Sequence, residues 1–322
     1  MQTFLLQLFG VLILFAAAGL IVVTIYVSLI VQEVRNPPKG GLAFALARGL
    51  PSTPEDLGLP HRAFDVDIAV GAGRAVMPVW EVSRSAEAID DTTCDQERLH
   101  IVLLHGWGRS RIDSLNRLGP FLFENASVYL PDLRGHGDSR IATTLGTLET
   151  EDIDRLLATL SPGPVILAGH SMGATIAIRC AVDGRERSRV KGVVAIAPYD
   201  TILTPIESRL AARDLPRGLF MALAKTILRW RGVRFHDTQQ AATQLTVPLL
   251  VLQGEHDRIS PRDPAKAIAD AVPARDLVTY VELPDVEHAD HHARHPERFE
   301  REIREFLRLV LSANPRSSIT QQ

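Results

Sequence analysis

A serine between two glycines is the residue of this chain best suited to nucleophilic chemistry. Residues 169–173 read GHSMG, with Ser171 at the centre. The motif follows an apolar run at 165–168 and precedes a helical pattern over 172–182. A sharp strand-to-helix turn lifts the serine hydroxyl clear of the backbone, and its glycines let strand and helix close together. This placement predicts a nucleophile elbow, with Ser171 as nucleophile and the amide of Met172 as an oxyanion donor.

A second glycine-containing turn has the composition of an oxyanion loop. Residues 105–108 read HGWG and follow the apolar run 101–104. Gly106 lets the backbone approach a substrate carbonyl, and we expect the amide of Trp107 to be the other donor. We expect His105 to order the loop. Loss of one such donor typically costs ~3–4 kcal/mol of transition-state stabilisation.

The acid and the base of a triad built on this serine come later in the chain, in that order. Asp257 lies just past the apolar run 248–252, so we predict that it is the acid that holds a catalytic imidazole. Glu255 and Asp200, which also follow predicted strand ends, are the alternatives.

Four histidines within residues 288–295 offer the base. His288 is the first after the last predicted strand and is our prediction, with His291 as the alternative. Such a run also suits a metal site, but no cysteine and no second cluster accompanies it. We therefore predict neither a metal nor an organic cofactor.

The polar turn at residues 132–139, DLRGHGDS, is predicted to brace the site. It follows the short apolar run 127–130. We assign neither Asp132 nor His136 to catalysis.

The surrounding elements predict an α/β fold with a mostly parallel sheet. Runs that do not alternate indicate strands buried on both faces, and helical patterns separate them. An alternating pair at 64–70 and 75–82 predicts a hairpin. The remaining predicted strands are 101–104, 127–130, 165–168, 193–197, 248–252 and 277–283, and the helices are 148–160, 172–182, 264–271 and 296–311.

An insertion at about 200–244 interrupts this alternation. It is predicted to form two or three helices that cap the C-terminal edge of the sheet. One helical face is predicted from Leu219, Leu223, Ile227 and Trp230.

The first 32 residues contain no Asp, Glu, Lys, Arg or His. The apolar stretch 8–31 exceeds the ~20 residues that a bilayer-spanning helix needs. A cleaved signal peptide would have a basic n-region and a shorter apolar region, so we predict a retained single-pass anchor over residues 4–32. A linker rich in proline and glycine follows at 33–62, then a catalytic domain at 63–312 and a flexible tail at 313–322.

Basic residues beyond the anchor indicate its orientation. Arg35, Lys39 and Arg48 outnumber Glu33, so the positive-inside tendency places the catalytic domain in the cytoplasm. The net charge of −3 over 322 residues, with no basic block, argues against nucleic acid as a partner. Cys94 and Cys180 cannot form a disulfide framework and are interpreted as free thiols.

Taken together, the motifs at 105–107, 132–139, 169–173 and 254–257, with His288, resemble the α/β-hydrolase superfamily. The resemblance covers about residues 64–311, and the 132–139 turn is similar to that of the branch containing monoacylglycerol lipases and serine aminopeptidases. It implies a Ser–Asp–His hydrolase with a helical cap. Serine at the elbow departs from dehalogenases and epoxide hydrolases, which use aspartate. Glu287 stands where a small residue usually precedes the histidine.

The expected activity is hydrolysis of a small-molecule carboxylic ester or related acyl bond through an acyl-enzyme, and the anchor adds lipid-derived esters as candidate substrates. The alternatives are a serine aminopeptidase or amidase, and a non-catalytic membrane-tethered binding protein on the same fold. Protein partners cannot be inferred from the sequence.

Overall fold

The computed structural model describes residues 1–38, 41–71, 73–86, 89, 98–211 and 213–312. The predicted tail 313–322, Lys39 and Cys94 lie outside these residues. Strands are β1 His61–Val70, β2 Gly73–Val82, β3 Leu99–Leu104, β4 Ala126–Pro131, β5 Val165–His170, β6 Val190–Ile196, β7 Leu249–Gly254 and β8 Val278–Leu283. Helices are α1 Gln2–Arg35, α2 Leu42–Leu46, α3 Arg111–Leu115, α4 Glu149–Thr159, α5 Met172–Asp183, α6 Thr204–Ala211, α7 Arg217–Trp230, α8 Thr238–Ala242, α9 Arg262–Ala271, α10 His291–Arg294 and α11 Pro296–Ser312. Short 3-10 turns occur at Pro54–Leu57, Gly119–Phe121, Arg187–Arg189 and Arg275–Leu277.

The eight strands form one sheet in the order β1-β2-β4-β3-β5-β6-β7-β8. The strands from β4 to β8 along that order pair in parallel, whereas β1 pairs with β2 and β2 with β4 in antiparallel fashion. Because consecutive parallel strands need a crossover, helices separate them along the chain. The predicted α/β architecture is confirmed.

The predicted hairpin is present and its turn is tight. Val70 pairs with Gly73, so only two residues connect β1 to β2. Gly71 adopts φ 53°, a backbone conformation that glycine reaches without steric cost.

Both faces of the sheet are buried, as the non-alternating runs predicted. On β3, Val102 and Leu104 belong to one apolar cluster, and Ile101 and Leu103 belong to the other. The first cluster includes residues of α1, α4, α5 and the cap, and the second includes residues of α11.

The predicted insertion forms three helices, α6, α7 and α8, and the predicted apolar face of α7 is not its most deeply buried one. Leu219 and Trp230 are 53% and 84% exposed. The residues of α7 that are buried are Met221, Ala224 and Leu228. The two sets of apolar residues lie on different faces of the helix, and periodicity does not show which one finds a packing partner.

Helix α1 is longer than the predicted anchor and continues to Arg35. The most apolar 18-residue window has a mean hydropathy of 2.8 and no buried residue. Its length and composition fit both a membrane span and a signal sequence. The last turns differ, because Val27, Ile30, Val31 and Val34 are buried against the rest of the protein. There α1 packs on α6 and α7.

Candidate active site

Ser171 lies on the strained turn that the sequence predicted. Strand β5 ends at His170 and α5 begins at Met172, so one residue makes the whole change of direction. Ser171 has φ 54° and ψ −115°, an unfavourable conformation for a residue with a side chain. Its amide donates to the carbonyl of Ile196 on β6 at 2.8 Å, which holds the turn against the sheet.

The glycines of the motif are required by close backbone contact. A Cβ at Gly173 would overlap the carbonyl of Leu104 and lie 2.7 Å from that of His105. A Cβ at Gly169 would overlap the backbone of Gly173. The expectation that side chains would clash at these positions is confirmed.

Three side chains from distant parts of the chain meet at this turn. The Oγ of Ser171 lies 2.9 Å from Nε2 of His288, and Nδ1 of the same ring lies 2.7 Å from Oδ2 of Asp257. The carboxylate accepts, so Nδ1 carries a proton, and Nε2 of the neutral ring is free to accept from the serine hydroxyl. The three side chains therefore form one hydrogen-bonded row, with the imidazole between the hydroxyl and the carboxylate.

Asp257 is a buried carboxylate with several donors. Its Oδ1 accepts the amides of Ile259 at 2.9 Å and Ser260 at 2.7 Å, and its side chain is fully shielded from solvent. These bonds hold the carboxylate in place and leave Oδ2 for His288.

The alternative acids and base are not part of this hydrogen-bonded row. Glu255 is exposed and accepts the amide of Asp285 at 3.2 Å. Asp200 accepts the amide of Thr201 at 2.8 Å. His291 is fully buried, and among the described residues neither of its ring nitrogens has a hydrogen-bond partner.

The loop after β3 lies against the serine turn. His105 Nε2 accepts the amide of Leu133 at 3.0 Å, and its Nδ1 donates to the carbonyl of Gly106 at 2.9 Å. Burial lowers the pKa of this ring to about 4, so it stays neutral. His105 thus orders the loop, as expected. Trp107, from the same loop, donates its indole N–H to the carbonyl of Val34 on α1 at 2.8 Å.

Met172 is the first residue of α5. The first amides of a helix have no intrahelical acceptor and point along the axis towards its N-terminal end. The amide of Met172 is therefore in a position to donate to an oxygen near Ser171.

The turn at 132–139 is a structural brace, as predicted. Asp132 accepts the amides of Arg111 at 2.8 Å and Asp138 at 2.9 Å. Arg134 forms a buried bidentate pair with Asp152 of α4. Neither interaction reaches Ser171, so the turn holds loops in place.

His170 is a residue of this site that sequence reasoning missed. Its Nε2 donates to the carbonyl of His288 at 2.7 Å. Burial, together with the Arg117 guanidinium, lowers the pKa of His170 well below its ordinary value, so the ring is neutral. The only signal in the sequence was the position of this polar ring at the end of a buried strand.

The predicted histidine run does not act as one cluster. Burial lowers the pKa of His291 to about 3 and of His292 to about 4, and Arg117 contributes to both shifts. Among the described residues, the one group whose ligand atoms are close enough for a metal is Glu255, His256 and Asp285, which are exposed. That group includes no histidine of the run.

Comparison with known proteins assigns a family. The model of the Alpha/beta hydrolase family matches residues 101–302. The chain is 28% identical over 250 residues to a Schizosaccharomyces pombe protein named as a candidate monoglyceride lipase, covering 64% of this chain and 66% of that protein. It is 32% identical over 105 residues to a pimeloyl-[acyl-carrier protein] methyl ester esterase of Cronobacter sakazakii, covering 33% of this chain and 38% of the esterase. The matches thus span less than two thirds of either relative.

Solved structures show the same fold. An esterase of Pyrococcus furiosus superposes with a TM-score of 0.61 at 20% identity, covering 85% of this chain and 96% of its own. A thermophilic esterase of Thermogutta terrifontis gives a TM-score of 0.56 at 21% identity, covering 77% and 99%. At such low identity the likeness concerns the fold alone, and it confirms the predicted α/β-hydrolase fold.

Proposed function

Because the chain belongs to the alpha/beta hydrolase family, we propose that it hydrolyses carboxylic esters or related acyl bonds through Ser171, His288 and Asp257. The observation that carries the proposal is the hydrogen-bonded row of these side chains, with separations of 2.9 Å and 2.7 Å. A serine so paired with a neutral imidazole and a buried carboxylate has the geometry of an activated nucleophile.

The mechanism has two halves. Ser171 Oγ attacks the substrate carbonyl carbon while its proton passes to Nε2 of His288, and the imidazolium formed is stabilised by Asp257. The tetrahedral intermediate collapses when His288 protonates the leaving alcohol, which leaves an acyl-serine. Water then attacks the acyl carbon with His288 as base, and the returning proton frees Ser171. This cycle requires neither a metal nor an organic cofactor.

Two backbone amides are proposed to stabilise the negative oxygen of both intermediates. They belong to Met172, at the start of α5, and to Trp107, in the loop that lies against the serine turn. Amide donors fixed before the reaction stabilise the transition state without reorganising, which is why they are effective.

Labelling with a fluorophosphonate probe tests the nucleophile. The wild-type protein should be labelled and Ser171→Ala should not. Equal labelling of the two would remove Ser171 from the mechanism.

Substitution of the two histidines tests the base. His288→Ala should lower kcat by about a thousandfold or more, because proton transfer from the serine is lost. His291→Ala is the matched control and should retain most activity. The reverse result would assign the base to His291.

We further propose an apolar, lipid-derived acyl ester as the substrate class, on the branch that includes monoacylglycerol lipases. Two observations support this. Helix α1 is apolar enough to span a bilayer and packs directly on the cap, and one relative carries the name of a monoglyceride lipase. p-Nitrophenyl esters of rising chain length, assayed beside aminoacyl anilides, separate an esterase from an aminopeptidase. If the correctly folded protein turned over neither series, a binding role on this fold would be favoured instead.

We propose that residues 4–32 form a single-pass membrane anchor, residues 33–62 a linker and residues 63–312 the catalytic domain on the cytoplasmic side. Protease added to sealed vesicles of known orientation tests the topology. Cleavage between residues 41 and 60 only when the cytoplasmic side is accessible would support it. Cleavage from the opposite side would reverse the orientation.

A further inference from the structure

The C-terminal end of α1 carries carbonyl groups that the helix itself cannot satisfy. In an α-helix each carbonyl accepts from the amide four residues later, and the last four lack that partner. Pro37 and Pro38 stand at the positions that would serve Glu33 and Val34. Because proline has no N–H, these carbonyls need donors from elsewhere in the protein.

Two loops donate to this helix end. The indole Nε1–H of Trp107 donates to the carbonyl of Val34 at 2.8 Å, and the amide of Thr143 donates to that of Arg35 at 3.0 Å. The Val34 side chain is completely buried at the same place. Helix α1 is therefore seated by directional bonds as well as by apolar packing.

The loop that contains Trp107 has little freedom beside the nucleophile. A Cβ at Gly106 would lie 3.0 Å from Nδ1 of His170 and 3.4 Å from Cβ of Ser171. The loop is fixed at His105 by bonds to Leu133 and Gly106. One residue beyond Gly106, the Trp107 side chain reaches α1.

We propose that the C-terminal end of α1 is a positioning element of the active site, which holds the Trp107 indole and so keeps the Trp107 amide aimed at the substrate oxygen. The inference rests on the proposed function, in which that amide is an oxyanion donor. The seating of the apolar helix and the rate of hydrolysis are then coupled through one side chain. An error of about 1 Å in such a group is enough to lower the rate about a hundredfold.

An ion pair between the cap and α1 helps to hold the end of the helix in the same place. Arg213, after α6, donates to Glu33 of α1 at 3.0 Å. This pair is partly exposed, so solvent screens it and it contributes little to the docking of the helix end. The buried contacts of Val34 and the Trp107 bond therefore dominate the docking of the helix end.

The test uses the full-length protein in detergent micelles and the variant Trp107→Phe, which keeps an aromatic ring but loses the indole N–H. Trp230→Phe is the matched control, since Trp230 is 84% exposed. We expect Trp107→Phe to lower kcat for p-nitrophenyl butyrate about tenfold or more, with KM changed less than about twofold. The rate of fluorophosphonate labelling should fall in parallel, and Trp230→Phe should match the wild type.

A purely structural contact would give a different pattern. The melting temperature of Trp107→Phe would fall while kcat of the folded fraction stayed within about twofold of wild type. That result would overturn the inference. If Trp107→Phe does not fold, incorporation of 3-benzothienylalanine at position 107 replaces only the N–H by sulfur, and the same comparison of kcat with KM decides. Absence of labelling at Ser171 in the wild type would instead refute the proposed function, and this inference with it.

Discussion

His170 and His288 are joined by a hydrogen bond of 2.7 Å from the ring Nε2 of the first to the main-chain carbonyl of the second. Since a carbonyl only accepts, the proton of the neutral ring is on Nε2. His170 immediately precedes Ser171, so the bond ties the turn that carries Ser171 to the loop that carries His288. The distance between serine and imidazole is thereby set by a third side chain.

Replacement of His170 tests whether this bond fixes the distance between Ser171 and His288. His170→Leu should lower kcat about tenfold or more, because the loop of His288 loses its donor and the serine–imidazole distance is no longer fixed. His170→Gln, whose amide can replace Nε2–H, should recover most of the loss. His295→Leu is the control, as His295 donates to the carbonyl of Pro284 at 2.8 Å on the exposed side of the same region. Steady-state kinetics would contradict the role if Gln and Leu at position 170 behaved alike.

Gly173→Ala should be strongly destabilising. The added methyl would meet the main-chain carbonyls of Leu104 and His105, which cannot move without displacing β3 or α5. We expect a loss of at least about 2 kcal/mol in the free energy of unfolding and loss of activity. Gly218→Ala is the matched control, with no atom within 4 Å of the new methyl. Urea denaturation measures both, and equal stability of the two variants would show that the elbow tolerates a side chain.

The buried pair of Arg134 with Asp152 should be far more sensitive than an exposed pair. Arg134→Met would leave the carboxylate of Asp152 buried without its cation and should cost about 3–5 kcal/mol. Arg74→Met breaks the pair with Asp67, whose side chains are 85% and 68% exposed, and should cost less than about 1 kcal/mol. Similar denaturation midpoints for the two variants would contradict this ranking.

Acid should destabilise the protein through its buried histidines. The pKa of His105 is lowered to about 4 and that of His291 to about 3, mainly by burial, from the usual 6.5. As the pH falls from about 6.5 towards 4, these rings gain protons in the unfolded chain but not in the folded one. The free energy of unfolding therefore decreases over this window, by about 1.4 kcal/mol per pH unit for each such ring.

The variant His291→Leu tests whether a single buried histidine makes the protein less stable as the pH falls. The variant should have a shallower loss of stability between pH 6.5 and pH 4, by about the contribution of one histidine. At pH 5 it should also be more stable than the wild type, since a buried ring without hydrogen-bond partners is removed. Parallel stability curves for the two proteins would contradict the prediction.

The sequence allowed the framework to be predicted because buried parallel strands and a strained glycine-flanked serine have strong local signals. Each predicted strand overlaps a strand of the sheet, and the motif at 169–173 lies between β5 and α5. No such local signal shows which element packs against an apolar face of a helix. The sequence predicted that Leu219 and Trp230 share one helical face of α7 but carried no signal that both are exposed, because α7 packs on α1, which is distant in sequence.

Two hydrogen bonds near the site could not be predicted from local sequence patterns. The bond from His170 to the loop of His288 joins residues 118 positions apart, and the bond from Trp107 to Val34 spans 73. For the first, the sequence showed only a polar ring at the end of a buried strand. The second left a clearer trace, because Pro37 and Pro38 show that the end of α1 requires donors from outside the helix.

The buried end of α1 bears on how a soluble version of this protein should be prepared. Removal of everything before Lys39, the obvious cut ahead of the catalytic domain, would delete Val27, Ile30, Val31 and Val34 together. The apolar surface thus uncovered on the cap would favour aggregation during recombinant expression. A cut before Tyr26 keeps these four buried residues in contact with the protein and removes most of the apolar N-terminal segment.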